Sequence, residues 1–171
     1  HSLPLKGDPQ ACPRVVVTGD FFTRFSPFFM EGVYELYASH GIILKPVDLS
    51  DLSLYFAYSG VAGTAAAWNM KPGGMALAKA CTRIFKPDGR QYLQQWISYQ
   101  AERRSDDYYR SLFRKTGLLL AKPNDAASLF EQASEHVSPA IYGEVIPTIG
   151  KSLDAASEGY DGVILLGPFN C

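Results

Sequence analysis

The sequence is poor in cysteine, and its cysteines are not clustered. Only Cys12, Cys81 and Cys171 occur among 171 residues, and no two of them form a CxxC pair. An odd number of widely separated cysteines argues against a disulfide framework and against a classical zinc site. We therefore expect reduced thiols.

The sequence also lacks the usual signals for membranes and nucleic acid. No apolar stretch approaches the roughly 20 residues that cross a bilayer, and the first residues do not resemble a signal peptide. The formal net charge is -1, which gives no reason to expect binding to nucleic acid or to an anionic membrane surface. These features predict a soluble, cytoplasmic protein.

What the chain does have is enough apolar material for one good core, since 47% of its residues are hydrophobic. We therefore predict one domain. Residues 1–13 are rich in proline and polar residues, which indicates a linker or a cut inter-domain segment. Residues 14–171 are predicted to form a single α/β domain with a helical cap at about 54–117.

Three short apolar runs predict the strands of a sheet. The run 163–166 lies between Gly162 and the pair Gly167-Pro168 and has no polar alternation, which is typical of a parallel strand covered on both faces. The runs 15–19 and 42–47 predict two further strands. Ser26 and Pro27 suit the start of a helix that ends at Gly41. Strand, helix and strand then form a right-handed βαβ unit.

The fold class predicted is therefore α/β, with a Rossmann-like parallel sheet and a helical insertion. In the middle of the chain, 48–58 is predicted as a short helix and 59–74, rich in glycine and alanine, as a loop. Helices are predicted at 75–85 and 91–115. The aromatic side chains of this insertion are expected to be mostly core, with an apolar groove for an acyl chain or a partner protein as the alternative.

Two more helices are predicted before the last strand. One is capped by Asn124-Asp125 and runs to about residue 135, and the other spans 144–158 with Gly159 closing it. The helix that begins at Glu144 is expected to start at the edge of the sheet opposite the candidate site described next.

Polar residues follow the first and last predicted strands. Asp20 and Arg24 come after the first strand, and Gly167 and Asn170 after the last. If those strands are parallel neighbours, all four residues share the edge of the sheet where open α/β proteins bind ligands. They are the predicted cofactor-binding residues. The structural alternative is that Asp20 caps a turn and forms an ion pair with Arg24.

Three separated motifs resemble a known family. They are VVVTGDFFTRFSPF at 15–28, the spacing of Gly143-Glu144 and Gly150-Lys151, and DGVILLGPFNC at 161–171. Together they are similar to the accessory, non-ATPase region of the large proteins related to 2-hydroxyacyl-CoA dehydratase activators. That family joins an acetate-kinase-like ATPase module to a segment similar to the dehydratase subunits, which adopt Rossmann-like α/β domains.

The resemblance implies a role in electron transfer. The dehydratase subunits hold a [4Fe-4S] cluster through cysteines, and Cys171 matches the cysteine of the family's Pro-Phe-x-Cys motif, so Cys171 is the implied metal ligand. The implied partners are a dehydratase or activase subunit and a CoA ester. No glycine-rich phosphate loop or ATPase core motif occurs in the sequence. We therefore do not expect the isolated chain to be catalytic.

The three thiols are not expected to hold a cluster by themselves. Cys12 precedes the first predicted strand and Cys171 follows the last, so four residues at about 3.3 Å each would separate them by about 13 Å. Cys81 lies in a predicted helix and is expected to be a small buried hydrophobe. We expect a cluster in a full-length protein or complex and none in this chain alone.

Three functions fit these observations. The first is an accessory domain that contributes to an iron-sulfur electron-transfer site and contacts a partner subunit. The second is a free-standing enzyme that acts on a CoA ester. The third is a ligand-binding α/β module with a helical lid and no redox role.

Overall fold

The structure is a computed structural model that describes residues 11–114, 125–138, 141 and 143–169. Among these residues, no helix combines the length and the apolar character that crossing a bilayer requires. The elements in chain order are β1 (Arg14–Gly19), α1 (Phe21–Phe25), α2 (Val33–Ser39), β2 (Ile43–Pro46), α3 (Leu49–Ala66), α4 (Gly74–Thr82), α5 (Pro87–Arg114), α6 (Ala126–Ser134), α7 (Val145–Ser157) and β3 (Gly162–Leu166).

The chain forms two compact units. The first, called the sheet unit below, contains the residues up to Asp48 and those from Gln132 onward. The second, called the helical unit, runs from Leu49 to Glu131 and includes the range 54–117 that was predicted as a helical cap.

The sheet unit is mixed α/β and contains a parallel sheet of three strands in the order β2-β1-β3. Val15 of β1 pairs with Leu44 of β2 on one side and with Gly162 of β3 on the other. The prediction of a parallel sheet is confirmed. The first and last strands are direct neighbours that run the same way.

The two outer strands are less covered than the central one. Val16 and Val17 of β1 are buried, whereas Val163 and Leu165 of β3 are 39% and 64% exposed. The prediction that the last strand is covered on both faces is therefore wrong. Side chains alternate between the two faces of a strand, and Val163 and Leu165 both lie on the exposed face of β3.

The first helical region differs from its prediction. Asp20, not Ser26, begins the helix, because the Asp20 carboxylate accepts a hydrogen bond from the backbone N–H of Thr23 at 2.7 Å. Ser26 instead ends α1. The second helix, α2, begins after Gly32, whose φ of 71° suits glycine.

The helical unit also corrects a prediction. Residues 59–66, predicted as a loop, belong to the single 18-residue helix α3. Gly60 and Thr64 stabilise this part of α3 by contact with Gln95 of α5, whose side-chain oxygen accepts the Thr64 hydroxyl at 2.8 Å. The absence of a side chain at Gly60 lets the two helices approach closely.

The other helices lie close to their predicted positions. Helix α5 begins at Pro87, where proline is favoured because the first helical N–H has no partner within the helix. The Asp125 carboxylate accepts from the N–H groups of Ala127 and Ser128 at 3.2 and 3.4 Å, as predicted for a cap of α6. Gly159, with φ 76°, follows the end of α7.

A nearly buried group of charges ties α3 to α5. The Arg110 guanidinium lies 2.7 Å from the Asp106 carboxylate and 3.9 Å from that of Asp51. The three side chains are 11%, 10% and 4% exposed. Because these charges have little contact with water, each depends on the others for compensation.

Candidate functional site

The candidate site lies at the edge of the sheet where β1 and β3 end. The backbone N–H of Asp20 donates to the carbonyl of Leu166 at 2.7 Å, so the two strands finish side by side. Gly19 makes this contact possible, because its φ is 104° and a Cβ there would collide with the Leu166 carbonyl. The structure thus brings Asp20 and Gly167 to one edge, called the rim below.

The Asp20 side chain accepts a hydrogen bond from the backbone at the rim. One carboxylate oxygen accepts both the N–H and the hydroxyl of Thr23 at 2.7 Å each. This is the turn-capping role that was weighed as the structural alternative.

Arg24 is buried, although it was predicted to bind a cofactor. Its residue exposure is 4%, and its guanidinium carbon lies 5.3 Å from the centre of the Phe25 ring. A guanidinium in this position acts on the rim through its charge rather than by contact with a ligand in solvent.

Glu144 lies at the rim, although it was predicted to lie at the opposite edge of the sheet. Its carboxylate accepts the backbone N–H of Phe21 at 2.8 Å, so it lies beside Asp20. A helix that leads into a parallel strand runs antiparallel to that strand, and α7 therefore begins where β1 and β3 end. The order of elements was the signal that could have predicted this position.

The environment of Glu144 changes its proton affinity. Burial raises the pKa of the Glu144 carboxyl above its ordinary value, and the nearby Asp20 carboxylate acts in the same direction. The Phe21 N–H and the Arg24 charge oppose this rise. Two neighbouring carboxyl groups, one of them more easily protonated than usual, can accept hydrogen bonds from a ligand and exchange a proton with it.

The thiols are distributed as follows. Cys12 precedes β1 and lies at the opposite edge of the sheet from the rim. Cys81 in α4 is exposed, so its prediction as a buried residue is wrong. The buried positions of α4 are Ala76 and Ala80, and the residue after Ala80 points about 100° further round the helix.

Two predicted site residues, Asn170 and Cys171, lie outside the described residues. Within the part of the chain that the structure describes, no group of three or more His, Cys, Asp or Glu side chains is placed to hold a metal ion.

Exposed phenylalanines border the rim directly after Asp20. Phe22 and Phe28 are 68% and 79% exposed, and both rings contact that of Phe29 at centroid distances of 6.4 and 5.3 Å. The repeated phenylalanines of 21–29 are visible in the sequence, but the sequence pattern alone does not show that Phe22 and Phe28 are exposed.

Comparison with protein-family models, with curated proteins and with solved structures gave no significant match. The resemblance to the dehydratase-activator family therefore depends on the three sequence motifs alone.

Proposed function

We propose that this chain is an accessory, Rossmann-like domain of a cytoplasmic protein similar to 2-hydroxyacyl-CoA dehydratase activators. In this proposal Cys171 gives one thiolate to a [4Fe-4S] cluster, and a dehydratase or activase subunit supplies the remaining ligands. A CoA ester is the proposed substrate of the assembled complex.

The hydrogen bond from Asp20 to the Leu166 carbonyl supports this proposal. It fixes the end of β3 against the end of β1, so the chain leaves the sheet at the rim through Gly167. Cys171 follows the last described residue, Phe169, by two positions in the sequence. In open α/β sheets this edge is where ligands bind.

The thiols of one chain do not fit a complete ligand set. Cys12 lies at the opposite edge of the sheet, and Cys81 belongs to the helical unit. A [4Fe-4S] cluster is usually held by four thiolates and, when bound, transfers single electrons. The proposal therefore assigns this chain a share of the site and its contacts with the partner.

The test is anaerobic purification of the full-length protein from its own cells through an affinity tag. Iron and sulfide are measured for wild type, for Cys171→Ser and for the matched control Cys81→Ser. We expect iron in wild type and in the control, and its loss from Cys171→Ser. Equal iron in Cys171→Ser would contradict the assignment of Cys171.

A second candidate function is ligand binding at the rim without redox chemistry. It is favoured by the meeting of Asp20 and Glu144, whose carboxylates lie at the edge where ligands bind. No iron in any variant after anaerobic reconstitution with ferrous iron and sulfide would favour this function over the first.

A further inference from the structure

The helical unit contains an unbroken row of aromatic rings, called the aromatic row below. Consecutive rings are in contact, with centroid distances between 5.3 and 6.4 Å, inside the range of about 4.5–7 Å that is usual for packed aromatic pairs. The steps are Trp68–Tyr92 at 5.3 Å, Tyr92–Trp96 at 6.2 Å, Trp96–Tyr99 at 6.3 Å, Tyr99–Tyr58 at 5.4 Å, Tyr58–Phe130 at 5.7 Å, Phe130–Tyr55 at 6.4 Å and Tyr55–Phe56 at 5.4 Å.

The row connects a solvent-exposed ring with a distant indole through the core. Phe56 is 46% exposed, whereas Tyr92 and Tyr99 are buried. From Tyr55 to the end of α3 at Ala66, just before Trp68, the helix rises by roughly 16 Å at about 1.5 Å per residue. Electron tunnelling over such a length in one step is slow, and contacts between successive rings divide it into short steps.

The five rings from Trp68 to Tyr58 are all indoles or phenols. Indole and phenol are, after thiols, the side chains that lose an electron most readily. Leucine or valine would fill the same core without this property. The two phenylalanines, Phe56 and Phe130, are hard to oxidise and act only as bridges between their neighbours.

Trp68 has the surroundings needed to become the final electron donor. Its indole N–H donates to a carboxylate oxygen of Asp88 at 3.1 Å, and the Lys79 ammonium lies 5.4 Å from the centre of its ring. The lysine charge disfavours a positively charged indole radical. The hydrogen bond from Arg83 lowers the pKa of Asp88, so an ionised carboxylate stands beside the indole N–H and can relay its proton to water.

The tyrosines of the row are poor places for an oxidised state to rest. A phenol that loses an electron must also lose its proton. Burial raises the pKa of Tyr58 to about 12, and burial raises the pKa of Tyr99 as well. The same burial disfavours any charged form of these phenols, including the cation that the loss of an electron would leave, so oxidation is passed on toward Trp68.

We propose that the aromatic row carries single electrons from Trp68 to a radical oxidant at the Phe56 end of the helical unit. The oxidant, of the peroxyl or hydroxyl radical class, gains one electron and is reduced. Trp68 supplies that electron through the row, and its N–H proton passes by way of the ionised Asp88 carboxylate to water. The products are a neutral indole radical on Trp68, a hydrated proton and the reduced anion of the oxidant. This inference is independent of the proposed function.

The test places a photo-oxidant at the Phe56 end. Phe56→Cys, in a full chain with Cys12, Cys81 and Cys171 changed to Ser, is labelled with a ruthenium tris-bipyridine complex. A laser flash with a soluble quencher generates ruthenium(III), and transient absorption and electron paramagnetic resonance identify the radical. We expect a neutral tryptophan radical that is lost in Trp68→Phe. In Asp88→Asn the signal should shift to the protonated radical.

Breaking the row provides the decisive comparison. Trp96→Leu removes an inner ring and should lose the Trp68 radical, whereas Trp96→Phe keeps a ring that can bridge its neighbours, as Phe130 does, and should retain a larger part of that radical. Tyr108→Leu changes an exposed ring outside the row and should leave the radical unchanged. Circular dichroism confirms that each variant is folded. An equal yield of the Trp68 radical in Trp96→Leu, or no tryptophan radical in the labelled parent, would overturn the proposal.

Discussion

The Glu144 carboxylate accepts a hydrogen bond from the backbone N–H of Phe21 across 123 positions of sequence. This contact joins the start of α7 to the start of α1. Because α7 leads into β3 and α1 follows β1, the bond fixes the rim from the side of the helices, while the Asp20 to Leu166 bond fixes it from the side of the strands.

Replacing Glu144 should therefore weaken the sheet unit. Glu144→Ala leaves the partly buried Phe21 N–H without this acceptor and should reduce the free energy of unfolding by about 1 kcal/mol. Glu144→Gln keeps an acceptor oxygen and should reduce the free energy of unfolding by a smaller amount. Urea denaturation followed by circular dichroism measures both. Glu31→Ala, at an exposed position, is the control, and an equal loss in that variant would contradict this role of Glu144.

The contribution of Glu144 should also depend on pH. Its pKa in the folded protein is raised, mainly by burial, so the folded state binds the proton more tightly than the unfolded chain does. The stability that this protonation provides is complete below the unfolded pKa and is lost as the pH rises through the folded pKa. The free energy of unfolding of wild type minus that of Glu144→Gln should therefore fall as the pH is raised from about 4 toward 7. A difference that rises with pH would mean that folding lowers the pKa of Glu144 instead of raising it.

Gly19 should tolerate no side chain. In Gly19→Ala the new Cβ would collide with the Leu166 carbonyl, and the φ of 104° is strained for alanine. We expect a loss of more than about 3 kcal/mol in the free energy of unfolding. Gly32→Ala is the matched control, because Gly32 also has a positive φ but faces open space, and it should cost only about 1–2 kcal/mol. Thermal denaturation measures the loss of stability in both variants. Equal losses in Gly19→Ala and Gly32→Ala would mean that the contact with Leu166 is unimportant.

Replacing two helical glycines by alanine should change the stability of the protein in opposite directions. A Cβ at Gly89 in α5 would collide with the Arg83 carbonyl, so Gly89→Ala should destabilise by about 1–3 kcal/mol. Gly63 in α3 faces open space, and Gly63→Ala should stabilise by up to about 1 kcal/mol because alanine favours helix. Chemical denaturation checks both, and a gain in stability for Gly89→Ala would show that the start of α5 can move.

Removing the cation from the buried charges of the helical unit should destabilise the protein far more than removing the cation from an exposed ion pair. Arg110→Ala leaves the carboxylates of Asp51 and Asp106 without this cation and should cost about 3–5 kcal/mol. Lys71→Ala removes a pair with Glu131 whose side chains are 90% and 71% exposed, and should change stability by less than about 0.5 kcal/mol. Similar losses in the two variants, measured by urea denaturation, would mean that water reaches Arg110.

The strands and the later helices could be predicted because their signals are local. Glycine and proline bound the apolar run that becomes β3, and Asp125 is a cap that depends on the next three residues alone. The apolar character of the first and last strands predicted a parallel sheet, and their pairing as neighbours was the stated condition for a shared edge. The rim position of Asp20 and Gly167 followed in turn from that pairing.

What could not be predicted depends on contacts between distant residues. Residues 59–66 are helical because Gly60 and Thr64 meet Gln95 of another helix, a contact with no local signal. The burial of Arg24 and the exposure of Leu165 depend in the same way on which elements pack beside them. The edge at which Glu144 lies was predicted wrongly because the direction of α7 relative to β3 was misjudged. The helix itself was predicted from its sequence pattern.

The strand order has a consequence for biosynthesis. Asp20 leaves the ribosome 146 positions before Leu166, its hydrogen-bond partner, and the whole helical unit is translated between them. Until β3 is synthesised, β1 has one open edge on which another nascent chain can pair. Such long-range pairing is slow, so β1 keeps this open edge for the whole time in which the helical unit is being translated.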